Sequence, residues 1–172
     1  KISMSYKNKI NIRLEQLQDK DGIEELYGLS FSPGRYVKTV FRMREKYDHL
    51  INISHVALIG DNIIGSVRYW NILVNSSPAL LLGPVVIHPN YRGEGYGKEL
   101  LECSIQNCKI SNFKLIFLIG DFIYYSKIGF KKLEEKKISF VGPVNKDRLL
   151  YINFGDNIIE DHEKIIIRSY KD

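Results

Sequence analysis

Between His88 and Leu101 the chain reads HPNYRGEGYGKELL, with glycine alternating at Gly93, Gly95 and Gly97. An apolar run of helical spacing follows, with Leu101, Ile105 and Cys108 at i, i+4 and i+7. Glycine lets the backbone turn through positive φ and lets a ligand approach with no Cβ in the way. The N–H groups at a helix start are unpaired and carry the positive end of the helix dipole, so the chemistry on offer is capture of a phosphate. Arg92 can add a charge-assisted contact. Lys98 falls in the first helical turn, where the dipole disfavours a cation, and a bound anion would offset that cost.

Two familiar phosphate loops do not fit. The dinucleotide pattern G-x-G-x-x-G would need glycine where Lys98 stands. A P-loop ending at Gly97-Lys98 would need glycine at the place of Arg92 and a hydroxyl residue at the place of Glu99. From these residues alone an anion site and a tight strand-to-helix turn both stay open. In the second reading Gly97 lets the helix pack closely on a sheet.

Other reactive groups are scattered. Cys103 and Cys108 are five residues apart, about 140° around a helix at ~100° per residue, which is too divergent for a disulfide. They form no metal-ligand pair with a nearby histidine, so they read as half-buried thiols, and no metal is expected. Glu45, His88 and Asp121 are candidate bases, with a water chain to a distant carboxylate as an equal alternative. His88, beside Pro89 at a strand end, reads rather as a packed, hydrogen-bonded residue.

The elements that must position these groups follow from periodicity. Ile10–Leu14 alternates and predicts a first strand, and Asp19–Leu29 a short helix. Pro33 and Gly34 break the chain. Tyr36, Val40, Met43 and Tyr47 form one stripe of a second helix. Ile53–Val74 is two strand-like runs divided by Gly60-Asp61-Asn62, a hairpin signal. Ala79–Ile87 is apolar on both faces, as in a buried central strand, with a bulge or splay expected at Gly83-Pro84. A helix to about Lys109 and a strand at Leu115–Ile119 complete a parallel pair with a right-handed crossover. Leu149–Phe154 is a further strand, and KKLEEKK at 131–137 reads as a solvated strand face. The class is mixed α+β.

The chain has 172 residues, with 25 Lys plus Arg against 20 Asp plus Glu, a net charge of +5, and no internal repeat or linker. One domain over residues 1–172 is expected. The positive charge suits a polyanionic partner, but no basic tract is interleaved with aromatics, so no nucleic acid is expected. The N-terminal stretch lacks the apolar core of a signal peptide and no run approaches the ~20 residues of a membrane helix. A cytoplasmic protein with no membrane partner is expected.

In this context VVIHPNYRGEGYGKELL resembles motif A of the GNAT superfamily of acyl-CoA-dependent N-acetyltransferases. Its Q/R-x-x-G-x-G/A core is matched by Arg92, Gly95 and Gly97. The segment LIFLIGDFIYYSKIGFKKL resembles motif B, ending in Tyr125, Lys127, Gly129 and Phe130. Its G-D-x-x-Y-Y-x-x-x-G-F form, with FSPGRYVKTVFRMRE upstream, is similar to a bacterial subgroup of predicted N-acetyltransferases. Leu118 stands where many members carry an asparagine seven residues before the tyrosine. The resemblance spans about residues 10–155.

It implies the GNAT fold: a mostly antiparallel mixed sheet with one parallel strand-helix-strand crossover and a V-shaped splay. It implies acetyl-CoA as cosubstrate and transfer of its acetyl group to a primary amine in a ternary complex. Val85, Val86 and Ile87 would pair with the pantetheine amides, with an N–H near Val86 or Ile87 polarising the thioester carbonyl. Arg92, Gly93, Glu94, Gly95, Tyr96, Gly97 and Lys98 would hold the pyrophosphate. Tyr125 would donate to the departing sulfur, its alternative being a tyrosine packed under the Gly129-Phe130 turn, while Tyr124 is expected in the core. The acceptor would be an amine-bearing small molecule, peptide or protein, with Arg35, Arg42 and Arg44 beside it or simply solvated. A homodimer is compatible with the resemblance. A non-catalytic acyl-CoA-binding or regulatory module on the same fold is the alternative, with a nucleic-acid-binding protein a weaker one.

Overall fold

The computed structural model of the chain describes residues 9–30, 48–134, 138–140, 146–155, 159 and 164–169. The helix expected over 36–47 lies outside them, together with Arg35, Arg42, Arg44 and Glu45. The alternating INIRL segment forms β1, Asn11–Leu14. A single 3-10 turn then leads into α1, Lys20–Ser30. Asp19 is buried in that turn and accepts from Arg13 at 2.7 and 2.9 Å and from the Gln16 amide at 2.8 Å.

The hairpin signal is real: β2, His55–Ile59, and β3, Asn62–Val74, are joined by Gly60-Asp61, with Gly60 at φ 59°. The buried strand expected at Ala79–Ile87 is β4, Ser77–Ile87. Next come α2, Tyr96–Ile110, and β5, Leu115–Ile119. A short α3, Phe122–Ser126, leads to β6, Lys131–Lys132, followed by β7, Ile138–Phe140, β8, Leu149–Asn153, and β9, Ile165–Ser169. The solvated face read in KKLEEKK is only partly seen: Lys131 and Lys132 are exposed, but Leu133 is 5% exposed and belongs to the core.

The strands form one mixed sheet in the order β1-β2-β3-β4-β5-β8-β6, with β9 pairing β3 and β7 pairing β9. Along that order only β4 and β5 run parallel, joined by the α2 crossover. The β7–β9 pair is parallel as well, an addition to the expected topology.

Side-chain parity along β4 organises both faces. Leu80 and Leu82 pack toward α2, against Leu100 and Leu101, while Ala79 and Leu81 point to the opposite core. At Gly83-Pro84, where the peptide bond is cis, three steps on β4 match two on β3, from Val85↔Val67 to Leu82↔Tyr69. This is a bulge, and its extra residue inverts the alternation. Beyond it Val85 and Ile87 face the α2 side, and Val86 packs against Ile23 and Leu26 of α1. β4 meets β5 only at Leu80↔Ile116 and Leu81↔Phe117, so the two strands part where the bulge begins. Trp70 donates its indole N–H to the Gly83 carbonyl at 2.6 Å, pinning the bulge from the α1 side.

Behind β2, His55 is 1% exposed. Its Nδ1 donates to the Ile53 carbonyl at 2.8 Å and its Nε2 accepts from the Asn107 amide at 2.6 Å, an arrangement that fits only the neutral ring. Burial, opposed in part by the Ile53 bond, holds its pKa below the ordinary value. The unfolded chain therefore binds the proton more readily, and the stability present above the unfolded value near ~6.5 is lost as pH falls toward the folded one. Thermal melts from pH 8 to pH 5 should show a falling midpoint below about pH 6.5, the unfolding free energy dropping with a limiting slope of about 1.4 kcal/mol per pH unit. His55→Gln, which can still accept from Asn107, should flatten this fall; an unchanged slope would exclude His55 as its source.

Candidate functional site

Two elements face each other across the opening between β4 and β5. The first is the loop into α2. Gly93 and Gly95 have φ of 80° and 85°, a region that glycine enters without a Cβ penalty, and Gly95 is the N-cap of α2. No side chain caps the helix. Its first internal bond runs from the Glu99 N–H to the Gly95 carbonyl at 3.2 Å, so the amides of Gly97 and Lys98 precede the helical ladder. Tyr96, 1% exposed, buries its ring in the core and fixes the direction in which that first turn points.

Gly97 has a second reason to be glycine. A Cβ there would lie 3.1 Å from the Tyr124 hydroxyl and 3.5 Å from an Ile87 side-chain carbon. The bare helix start is where α2, β4 and α3 come together. Arg92 is held by its Nε–H, which donates to the Ile87 carbonyl at 3.1 Å. Lys98 lies 3.8 Å from Glu102, one helical turn on, with both side chains about half exposed. Such an exposed pair holds the ammonium weakly and leaves it available to a ligand.

The second element is the short α3, capped by Asp121, which accepts from the Ile123 amide at 3.1 Å. It presents Tyr124 and Tyr125, whose rings meet edge to face at 5.0 Å. Tyr125 also packs against Phe130 at 5.9 Å. Burial, with the neighbouring Tyr124 next, pushes the Tyr125 phenol up to about 12, against an opposing pull from Arg148. The group stays protonated across the physiological range. Its hydroxyl carries no hydrogen bond among the described residues. The expectation that Tyr124 sits in the core is corrected: it is 41% exposed. The five-residue α3 is too short to bury two successive tyrosines.

A groove of about 530 Å³ runs between these elements. From the β4 and loop side Val85, Ile87, Arg92, Gly93, Gly95 and Gly97 line it, with Tyr96 and Lys98. From the α3 side come Tyr124 and Tyr125. Two expected residues are placed differently. Val86 is 3% exposed on the α1 face, and Glu94 is exposed and does not line the groove. Reasoning from the sequence missed Tyr91, Lys127 and Ile128, which also line it. The signal for Lys127 and Ile128 was their place beside Tyr125, and for Tyr91 its place before Arg92.

Strand alternation decides which main-chain groups of β4 face the opening. The His88 N–H donates to the Ile64 carbonyl on the β3 side at 2.7 Å. Alternation turns the Val86 amide the same way and directs the Val85 and Ile87 amides to the free edge. The candidate bases are otherwise engaged: His88 Nδ1 accepts from the Asn90 amide at 3.1 Å, and Asp121 caps α3. Among the described residues no group of three His, Cys, Asp or Glu could hold a metal ion, and no helix is long and apolar enough to cross a membrane. Cys108 is buried and Cys103 partly so, both as free thiols.

Residues 51–132 match the family model described as an acetyltransferase (GNAT) domain. A search of curated protein sequences gives no significant match. The chain superposes on the Escherichia coli GNAT family N-acetyltransferase YhbS, solved with CoA, with a TM-score of 0.80 at 20% identity, covering 95% of this chain and 91% of that one. A Brucella melitensis GNAT family acetyltransferase solved with acetyl-CoA gives 0.66 at 21% identity, covering 88% and 92%. Arabidopsis thaliana Naa50, solved with the bisubstrate analogue CoA-Ac-MVNAL, gives 0.57 at 16% identity, covering 84% and 99%. The sheet, its one α2 crossover and its splayed central strands are thus the GNAT fold, carrying an acetyltransferase (GNAT) domain match over residues 51–132.

Proposed function

We propose that this protein transfers the acetyl group of acetyl-CoA to a primary amine by direct attack in a ternary complex. One observation carries the reading: a groove that begins at an uncapped, glycine-lined helix start and runs along the free edge of β4 past a protonated tyrosine. The solved complexes of similar fold, with CoA, acetyl-CoA and a CoA–peptide analogue, support it.

In this reading the pyrophosphate rests on the amides of Gly97 and Lys98, with Arg92 and the Lys98 ammonium adding charge. The pantetheine arm runs back along β4 as an added strand, pairing with the Ile87 main chain. The thioester comes to rest where β5 closes the edge, and the Val85 amide donates to its carbonyl oxygen as negative charge develops. Val86 contributes only its buried side chain on the far face. Tyr125 donates a hydrogen bond to the departing sulfur. With its pKa near 12 it is a poorer acid than a thiol of ~8.5, so it stabilises the thiolate without transferring its proton outright. The peptide-bearing analogue bound by the similar Naa50 supports a peptide or protein N-terminus among the acceptors, beside small amines.

Gly95→Val places a branched side chain at positive φ and should weaken acetyl-CoA binding at least tenfold by calorimetry; unchanged affinity would remove the loop from the site. Tyr125→Phe should lower kcat by about 10- to 100-fold with little change in acetyl-CoA affinity, read by thiol release over a panel of primary amines and peptides. Equal rates would exclude the tyrosine from the chemistry. Binding of acetyl-CoA with no thiol release across the whole panel would favour a non-catalytic acyl-CoA-binding module.

A further inference from the structure

A second cluster of chemistry-bearing side chains lies on the opposite face of the sheet, behind the bulge. Tyr69 packs toward α2, so its neighbours Arg68 and Trp70 on β3 project to the α1 side. The Arg68 guanidinium stacks over the Tyr27 ring of α1, 5.4 Å from its centroid. It donates to Glu15 through Nη2 at 2.8 Å and Nε at 3.2 Å, and Glu15 is 6% exposed. The other contact to Glu15 is His49 Nε2 at 2.9 Å. His49 in turn stands edge-on to Trp70, ring centroids 5.6 Å apart, and Trp70 holds the Gly83 carbonyl.

Each contact constrains the next. Burial works to raise the Glu15 pKa, but its bonds to His49 and Arg68 outweigh it and hold the carboxyl below its ordinary value. An anionic Glu15 accepts from the ring N–H, which fixes the proton on Nε2 and leaves the lone pair on Nδ1. Nδ1 has no partner among the described residues, and the side chain is 19% exposed. A buried carboxylate behind an imidazole with a free lone pair is the arrangement of a proton acceptor. Among the described residues the charged and titratable groups around it are Glu15 at the end of β1, Arg68 on β3, Glu24 and Tyr27 of α1 across the guanidinium, and the adjacent, exposed Asp48.

We infer that His49, oriented by Glu15 and Arg68, takes the proton from the acceptor amine, which enters from the α1 face of the splay. The inference rests on the acetyl-CoA reading above, which lays the arm along the free edge of β4 and ends it beside Gly83. The opening between β4 and β5 begins at that point, so the thioester can be attacked from the face opposite the cofactor groove. An ammonium substrate loses one proton to Nδ1, directly or through one water, and the freed nitrogen lone pair forms the N–C bond. Collapse of the tetrahedral adduct breaks the C–S bond, CoA leaves as thiolate hydrogen-bonded to Tyr125, and of the two protons still on the adduct nitrogen one is released to solvent while the other stays as the amide N–H. His49 returns its proton to solvent between turnovers.

The test pairs histidine NMR with kinetics on the full chain. In 15N-histidine spectra His49 should show the Nε2–H form. Its signals should shift when acetyl-CoA is added, alongside amide shifts in Gly95, Gly97 and Lys98. Loop shifts with an unmoved His49 would overturn the inference while leaving the cofactor reading intact. No shift anywhere would overturn the cofactor reading and the inference with it. In thiol release with the primary-amine and peptide panel, His49→Gln should lower kcat about 100-fold at pH 7 without altering acetyl-CoA affinity or the melting temperature. The deficit should shrink as pH rises and the amine deprotonates unaided; a deficit that stays constant with pH would assign His49 a structural role.

Discussion

The structure turns on one extra residue. β4 is buried between β3 and β5, where a regular strand would continue the same alternation to its end. The bulge at Gly83-Pro84 inverts that alternation halfway along, so Leu80 and Leu82 before it and Val85 and Ile87 after it share the α2 face. The same irregularity coincides with the end of β5 pairing, and the freed edge turns the Val85 and Ile87 amides, without a partner among the described residues, toward the groove. A strand edge left open in a sheet is ordinarily a hazard. Here it is flanked by α2 on one side and α3 on the other, which makes it accessible to a narrow ligand and closed to another sheet.

The helix start and the tyrosine pair depend on that geometry. A side chain at Gly97 would crowd the Tyr124 hydroxyl and touch Ile87, which converge on it. Tyr125 owes its high pKa first to burial against Phe130 and its neighbours, and burial also holds the ring in place. On the other face, Trp70 holds the bulge and stands edge-on to His49, which bonds Glu15 of the buried Glu15–Arg68 pair, an ion pair whose partners are each satisfied by more than one contact. Removing one member would strand a buried charge, so the cluster is a rigid support for His49.

Much of this was legible in the sequence. The Gly-rich loop, the hairpin at Gly60-Asp61, the central strand and the α2 crossover are local patterns in which period and turn chemistry agree. Pro84 announced the bulge, because proline cannot donate within a ladder. The parity change was not legible, since a strand apolar on both faces hides which face each residue takes. That is why Val86 was grouped with Val85 and Ile87. Tyr124 was misplaced because a pair of tyrosines in a short segment gives no periodicity to read. His49 escaped notice because its partners, Glu15 and Arg68, lie far away in sequence and only the sheet register brings them together. Contacts formed by register are the ones a linear reading cannot see.

The open edge of β4 has a further consequence for how such proteins diverge. A ligand held by backbone amides is held by atoms every residue possesses, so nearly any side-chain substitution that preserves the strand path preserves the contact. Only the glycines and the bulge impose a spelling. That fits the observation that solved chains of the same architecture share 14–21% of their residues with this one. On the opposite face the proposed chemistry depends on side chains whose identity matters. If the edge holds the cosubstrate as proposed, drift can rewrite what approaches from the α1 side while the edge stays in use, and low overall identity is then weak evidence of a changed donor.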